Sequence, residues 1–210
     1  MDIKLKILIA SSFMVSLLST AGVAAGGDLR LVEAVRKGDN VTVRSLLNQH
    51  VDVNASEADG ATALMWAAQR GDVTVAELLI RAGAKVNAAN ENGATALWLA
   101  CANANGQMVE KLLTANANPN IALVSGETAL MTAASTGNLN VVKLLLAQKA
   151  DANAKEIKGG QTALMWALAE KHTEAARALV EGGADLHARS KGGYTPLLFA
   201  AQQGDLESAR

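Results

Sequence analysis

The residues best able to do chemistry in this chain are three histidines and a single cysteine. His50, His172 and His187 lie far apart, and none stands at metal-ligand spacing with a carboxylate or thiol. Cys101 is the only cysteine, so the chain forms no internal disulfide. The hydrolase motif Gly-x-Ser-x-Gly and the glycine-rich phosphate loops do not occur. The sequence therefore predicts no catalytic residue, metal site or cofactor, and we expect a protein that is not an enzyme.

Three tryptophans, Trp66, Trp98 and Trp166, suggest a different kind of site. Each lies in a short apolar segment with helical character. They could fill grooves between packed helices, which is a purely structural role. Alternatively, their edges could line a concave surface as anchors, because aromatic side chains are favoured at binding hot spots. The sequence leaves both interpretations open.

The segments that would position these residues belong to an internal repeat. An early, divergent copy begins near residue 27 and gives the first unit, 27–59. The units that follow are 60–92, 93–125, 126–159, 160–192 and an incomplete 193–210. The later copies start at separations of 33, 33, 34 and 33 residues, at Gly60, Gly93, Gly126, Gly160 and Gly193.

Each unit predicts two short helices followed by a projecting loop. In unit 60–92, Thr62 can cap the first helix and Gly71 suits the positive φ of the turn that ends it. Apolar residues over 75–80 predict the second helix, and the polar segment 85–92 predicts the loop. Helices this short are unstable alone, so the units must stack. Stacking should bury one inner row, formed by Leu64, Leu97, Leu130, Leu164 and Leu197.

The repeat resembles the ankyrin repeat, which has a period of 33 residues and the motif T-P-L-H-x-A-A. This resemblance extends over residues 27–210 and implies an all-α solenoid of stacked helix-turn-helix units with projecting β-hairpin-like loops. Some segments are similar to those of bacterial exported ankyrin proteins. The motif stands here as TALMWAA (62–68), TALWLAC (95–101), TALMTAA (128–134), TALMWAL (162–168) and TPLLFAA (195–201).

Several positions depart from the family motif. Ala104 and Lys171 replace the turn glycine, so we expect those turns to be strained or reshaped. Cys101 takes a small core position, with a reactive thiol as the alternative reading. Apolar packing should replace the hydrogen bonds of the family's histidine, whose position is taken by Met65, Trp98, Met131, Met165 and Leu198.

The two ends of the chain lie outside the regular pattern. Lys4 and Lys6 precede an uncharged segment over 7–25 that ends in small residues, which is typical of a cleaved signal peptide over 1–25. We therefore expect export to the periplasm or beyond, with no stable membrane insertion after cleavage. An uncleaved N-terminal helix that tethers the protein is the alternative. The other end, at Arg210, interrupts the sixth unit, which indicates a fragment or a truncated product with Leu197 left open.

The chain offers surfaces for partner binding rather than a reactive site. A net charge of −1, with no extended basic patch in any unit, argues against nucleic acid or an anionic membrane as partner. The resemblance implies contacts at the loop tips and at the exposed ends of the first helices. In the longest loop, Lys155, Glu156 and Lys158 are expected to form a solvated tip. The predicted partner-binding residues are Arg70, Glu91, Asn92, Asn103, Ser135, Ile157, Lys158, Glu170 and Gln202.

The function that fits these observations is a non-catalytic scaffold that binds another protein through its concave face and loop tips. Two alternatives stay open. The array could be the recognition arm of a larger enzyme or envelope component that continues after residue 210, or a secreted effector that acts on a host protein. The sequence downstream of residue 210 would separate the scaffold from the arm, and detection in a host fraction would identify an effector.

Overall fold

Residues 28–205 and 207 are described by a computed structural model of the chain. The predicted signal peptide over 1–25 and the side chain of Leu206 lie outside the described residues. Among the helices of the described part, none is both long and apolar enough to cross a bilayer.

Eleven helices occur in the described residues, two in each of the first five units and one in the sixth. The first helices are α1 (Arg30–Lys37), α3 (Ala63–Arg70), α5 (Ala96–Ala102), α7 (Ala129–Thr136), α9 (Ala163–Ala169) and α11 (Pro196–Gln203). The second helices are α2 (Asn40–Asn48), α4 (Val73–Arg81), α6 (Gly106–Thr114), α8 (Leu139–Ala147) and α10 (Thr173–Glu181).

Helices of the same kind pack on one another from unit to unit, which confirms the predicted all-α solenoid. The predicted hairpin-like loops are reduced to isolated antiparallel bridges, because no strand forms in the part of the chain that the structure describes. These bridges join Ser56 to Thr62, Ala89 to Thr95 and Ala122 to Thr128.

Polar caps fix where the helices begin. The side chain of Thr62 accepts a hydrogen bond from the backbone N–H of Met65, and three later threonines cap their first helices in the same way. The second helices start at Asp39, Asp72, Asn105 and Asn138, whose side chains accept from an N–H three residues on.

The turn after each first helix keeps a positive φ even where glycine is missing. Gly71 and Gly137 have φ of 70° and 69°, whereas Ala104 and Lys171 take φ of 51° and 60°. The non-glycine residues therefore adopt a left-handed conformation that costs energy for a residue with a Cβ. Helices α5 and α9, which precede these two turns, have 7 residues instead of 8. The expectation of strained turns is confirmed.

In each of the first four units, one asparagine after the second helix bonds to the backbone of the following unit. The Asn120 side chain donates to the carbonyl of Lys149 at 3.1 Å and accepts from the N–H of Asp151 at 2.8 Å. Asn54, Asn87 and Asn153 make the same pair of bonds to the following unit. His187 occupies the equivalent position in the fifth unit and is exposed.

The core is one continuous apolar cluster through the stacked units. Leu64, Leu97, Leu130 and Leu164 are at most 2% exposed, which confirms the inner row for four of its five predicted members. Leu197 is 58% exposed on α11, the last complete helix described, so the predicted row does not extend to it. The methionines that replace the family's histidine in α3, α7 and α9 are at most 1% exposed, and Trp98 in α5 is 7% exposed. Leu198 in α11 is 49% exposed, so apolar packing fills that position in four of the five units.

The first helices approach one another more closely than the second helices do. A row of fully buried alanines permits this, because a methyl side chain leaves little between two backbones. Neighbouring units are therefore packed more closely along their first helices than along their second helices. These alanines are Ala67, Ala100, Ala133, Ala167 and Ala200.

Candidate partner-binding surface

Backbone hydrogen bonds connect the tips of adjacent loops. The N–H of Val124 donates to the carbonyl of Asn92 at 2.9 Å, and the N–H of Ile157 donates to that of Ser125 at 2.8 Å. In the same way, the N–H of Glu91 donates to the carbonyl of Asp59 in the first loop, and the N–H of Lys191 donates to that of Gly159 in the fourth. We call this surface the tip row, and its outermost residues, all exposed, are Ala58, Glu91, Val124, Ile157 and Lys191.

Each tip is also held from within by a polar side chain. Glu156 is only 8% exposed, and its carboxylate accepts from the backbone N–H groups of Lys158, Gly159 and Gln161 at 2.7, 2.6 and 3.0 Å. The prediction of a fully solvated tip is therefore wrong for Glu156, because three backbone donors replace its water. Lys158 is exposed as expected. The result is a rigid backbone that presents a few side chains outward.

The exposed side chains of the tip row change character along the array. Half-buried Asp59 and exposed Glu91 make the first two tips acidic. Val124 and Ile157, 70% and 60% exposed, make the next two apolar at their outermost positions. Four exposed cations follow on the fourth and fifth tips, and we call them the basic cluster: Lys155, Lys158, Arg189 and Lys191.

The basic cluster forms only because two units meet. Neither unit contains an extended basic patch, as the sequence indicated, but Lys155 donates to the carbonyl of Arg189 at 2.9 Å and Lys191 donates to that of Ile157. Aligning the loops by the repeat puts Lys155 and Arg189 at equivalent positions in consecutive units, but only the stacking of those units brings the two loops into contact.

The first-helix ends are largely committed to contacts between units. Arg70 is exposed, but its guanidinium donates to the carbonyl of Arg36 at 3.2 Å. The exposed Asn103 donates to the carbonyl of Gln69 at 2.9 Å. These side chains therefore join neighbouring units as well as facing solvent.

The remaining predicted helix-end residues differ in exposure. Ser135 is 7% exposed and its hydroxyl donates to the carbonyl of Thr132 at 3.0 Å, so the structure contradicts the exposure assumed for it. Glu170 is half-buried and Gln202 is exposed. Among the predicted residues, Glu91, Asn92, Ile157 and Lys158 share the tip row.

Comparison with protein-family models covers nearly all of the described chain. The model described as "Ankyrin repeats (3 copies)" matches residues 31–122, 102–190 and 130–210. The chain belongs to the ankyrin repeat family. A search among curated proteins found no match. Ankyrin repeats are generally protein-interaction modules, which agrees with a surface of variable tips on a constant scaffold.

The tryptophans of the ankyrin array pack between its elements. Trp66, Trp98 and Trp166 are 9%, 7% and 7% exposed, so the structure favours the groove-filling interpretation over the exposed anchors. The indole N–H of Trp66 donates to the Glu57 carboxylate at 2.9 Å, and that carboxylate also pairs with Arg36 at 3.1 Å.

The cysteine and the histidines have structural positions in the array. Cys101 is fully buried, and burial raises the pKa of its thiol, so the reactive thiolate is disfavoured. His50 holds a turn with φ of 55°, and the ring of His172 lies 3.1 Å from the carbonyl of Ser135. Among the described residues, no three His, Cys, Asp or Glu side chains are grouped to hold a metal ion.

An open groove of about 530 Å³ lies between α10 and α11, at the last described unit of the array. Its apolar walls include Val180, Leu186 and Leu197, and Glu207 lies at its edge. Leu206 and residues 208–210, which follow α11 in the sequence, are outside the described residues. The groove therefore carries no functional argument.

Proposed function

We propose that this ankyrin array is a non-catalytic scaffold that binds a partner protein through its tip row. The observation that carries the proposal is the exposure of Val124 and Ile157, at 70% and 60%, on adjacent tips. Exposed apolar side chains that lie together are typical of binding surfaces. Backbone bonds between the tips keep both residues in place before a partner arrives, so little conformational entropy is lost on binding.

Other surfaces of the array support binding less well. The first helices bury most of their side chains, and their exposed ends at Arg70 and Asn103 already bond to the preceding unit. The tips also vary between units in charge and polarity, whereas the core motif does not. A fixed scaffold with variable contact residues is what recognition of one particular partner requires.

The double substitution Val124→Ser and Ile157→Ser tests this proposal. It removes both apolar contacts without changing charge, and neither residue belongs to the core cluster. Val41→Ser is the matched control, because Val41 is 80% exposed on α2, away from the tip row. We expect affinity capture from an envelope extract to lose at least one protein with the double variant and to retain it with the control. Identical proteins in equal amounts from both variants would refute the tip row as the binding surface.

We also propose that the array acts in the periplasm or outside the cell, after removal of residues 1–25. The support is the pair Lys4 and Lys6 before an uncharged segment that ends in Val23-Ala24-Ala25. Intact mass measurement of the protein from fractionated cells tests it. We expect a mature chain that begins near Gly26, in the exported fraction. An intact chain starting at Met1 in the cytoplasmic fraction would refute export.

A further inference from the structure

The basic cluster holds positive charge that no carboxylate neutralises by direct contact. In the described part of the chain, Lys155, Lys158, Arg189 and Lys191 take part in none of the ion pairs formed by other side chains. The neighbouring Glu156 is buried, and its carboxylate accepts hydrogen bonds from three backbone N–H groups instead of from these side chains. Three of the four cations donate to backbone carbonyls, which orders their side chains but leaves their charge uncompensated.

This charge is local to one end of the tip row. The whole chain has a net charge of −1, so the basic cluster does not reflect a basic protein. Asp59 and Glu91 lie two or more units away, and packed helices are separated by roughly 8–10 Å per unit. Ionic strength near 0.15 M screens charges beyond about 8 Å. The negative charges of Asp59 and Glu91 are therefore largely screened at the basic cluster, which can still attract an anion.

Apolar surface lies directly beside these cations. Ile157 is 60% exposed between Lys155 and Lys158 on the same loop, and Val124 is 70% exposed on the preceding tip. A ligand that matches this surface must offer carboxylates next to an apolar side chain. Such a ligand would meet like charge at Glu91 and Asp59 if it moved toward the other end of the row.

We propose that the tip row docks an acidic protein segment bearing leucine-like side chains, with its carboxylates on the basic cluster and its apolar side chains on Ile157 and Val124. The acidic first two tips repel the same segment, which confines docking to the third, fourth and fifth units. This proposal rests on the proposed function, since it names the partner chemistry for the same surface.

A protein segment fits these observations better than a nucleic acid or a lipid surface. Nucleic-acid affinity comes mainly from many cation–phosphate contacts, and only four cations cluster here. The same row also carries exposed Val124 and Ile157, which offer nothing to a phosphate backbone. An anionic bilayer would lie along the whole row and would be opposed by Asp59 and Glu91.

The probe for this proposal is a fluorescein-labelled peptide of ten residues, six glutamates and four leucines. Three adjacent tips span roughly 20 Å at 8–10 Å per unit. An extended chain rises about 3.3 Å per residue, so ten residues cover that span with a margin. Two reference peptides replace all glutamates by glutamine or all leucines by serine. Fluorescence anisotropy with the full chain gives the dissociation constants.

The decisive variant is Lys158→Glu with Lys191→Glu. Its matched control, Lys85→Glu with Lys143→Glu, makes the same change in net charge at exposed positions outside the basic cluster. We expect the reversed cluster to bind the acidic peptide at least tenfold more weakly and the control to bind as the unchanged protein does. Both reference peptides should bind at least tenfold more weakly to the unchanged protein. Its binding of the acidic peptide should also weaken as salt is raised, which tests the charge contribution without any substitution.

Specific outcomes would overturn this proposal. Equal peptide binding by the reversed cluster and its control would remove the basic cluster from the contact. Competition by phosphatidylglycerol vesicles or a single-stranded oligonucleotide at lower concentration than unlabelled peptide would replace the protein segment by a membrane or a nucleic acid. If serine at Val124 and Ile157 abolishes partner capture while charge reversal does not, the scaffold function stands and only the acidic partner is refuted. If neither variant affects capture, both proposals fail.

Discussion

At the scale of single residues, the departures from the repeat show which constraints are strict. Ala104 and Lys171 take the left-handed turn that glycine occupies in other units, so the turn is kept although its preferred residue is lost. The stacking of neighbouring helices must supply the energy that holds these residues there. This strain can be relieved by substitution.

We expect Ala104→Gly to stabilise the protein. Removing the Cβ relieves about 1–2 kcal/mol of left-handed strain. The extra freedom of glycine in the unfolded chain takes back about 0.4–1 kcal/mol. The net gain in unfolding free energy should therefore be centred near about 0.8 kcal/mol and at most about 1.6 kcal/mol, measured by urea denaturation. Ala102→Gly, two residues earlier at the C-terminal end of α5, is the control and should destabilise by up to about 1 kcal/mol. Equal effects of the two substitutions would contradict the strain.

The thiol of Cys101 should be unreactive in the folded protein. It is fully buried, and burial raises its pKa, so the folded state holds the protonated form. The expected result is no labelling by a disulfide reagent at pH 8 without denaturant and one thiol per chain in urea.

Linkage gives the sign of the matching pH effect. An unfolded thiol ionises above about pH 8.5, whereas the folded thiol does not. The contribution of Cys101 to stability is therefore present below that pH and declines as the pH rises further. Rapid labelling of the native protein would indicate an accessible thiolate and contradict the core assignment.

At the scale of elements, hydrogen bonds between units complement the apolar core. The asparagine side chains, such as that of Asn120, bond to the backbone of the following unit, just after its second helix. Backbone hydrogen bonds along the tip row connect the loops to one another. Within the described chain these loops have no strands, and their only strand-like pairing is in isolated bridges. The hydrogen bonds between units therefore determine how rigidly the tip row is presented.

Asn120→Ala should weaken the contact between the third and fourth units. The substitution removes two hydrogen bonds, at 3.1 Å to the carbonyl of Lys149 and at 2.8 Å from the N–H of Asp151. At about 0.5–1.5 kcal/mol for each bond, and at the lower end for exposed groups, we expect a loss of about 1–2 kcal/mol in unfolding free energy. Asn140→Ala on the exposed face of α8 is the control and should be neutral. An equal loss from both would show that the asparagine bonds between units contribute nothing specific.

At the scale of the whole molecule, stability comes from nearest-neighbour contacts along the stack. Leu130 therefore lies between two packed first helices, α5 and α9, whereas the described part of the chain places one first helix, α9, beside α11. Leu130 and Leu197 occupy the same position in their units but are 1% and 58% exposed. This pair isolates the effect of stacking from the effect of sequence.

Leu130→Ala should cost about 2–5 kcal/mol in unfolding free energy, because it leaves a cavity in the core. Leu197→Ala should change it by no more than about 0.5 kcal/mol, as for other exposed positions. Equilibrium urea denaturation with circular dichroism measures both. Similar losses of unfolding free energy at the two positions would mean that Leu197 is buried in solution as fully as Leu130.

Much of the candidate surface can be predicted from the sequence, and the wrong predictions of exposure have a common cause. Glu91, Asn92, Ile157 and Lys158 were predicted to lie at the tips, and they do, because a polar loop between two helices must project. Ser135 was placed on the surface because it lies at a helix end, but its hydroxyl faces its own helix and the next unit covers it. The sequence predicts where a residue lies along a helix, whereas its exposure depends on which side chains of the adjacent unit pack against it.

The sequence by itself determined the helix pairs, their order and their turns. Caps such as Thr62 and glycines such as Gly71 act over a few residues, and the 33-residue period repeats those local signals. Only the tertiary structure decided the burial of Glu156 and the meeting of Lys155 with Arg189. Lys155 and Arg189 belong to loops 34 positions apart, and the Lys155 side chain reaches the backbone carbonyl of Arg189 only after the helices between them have stacked.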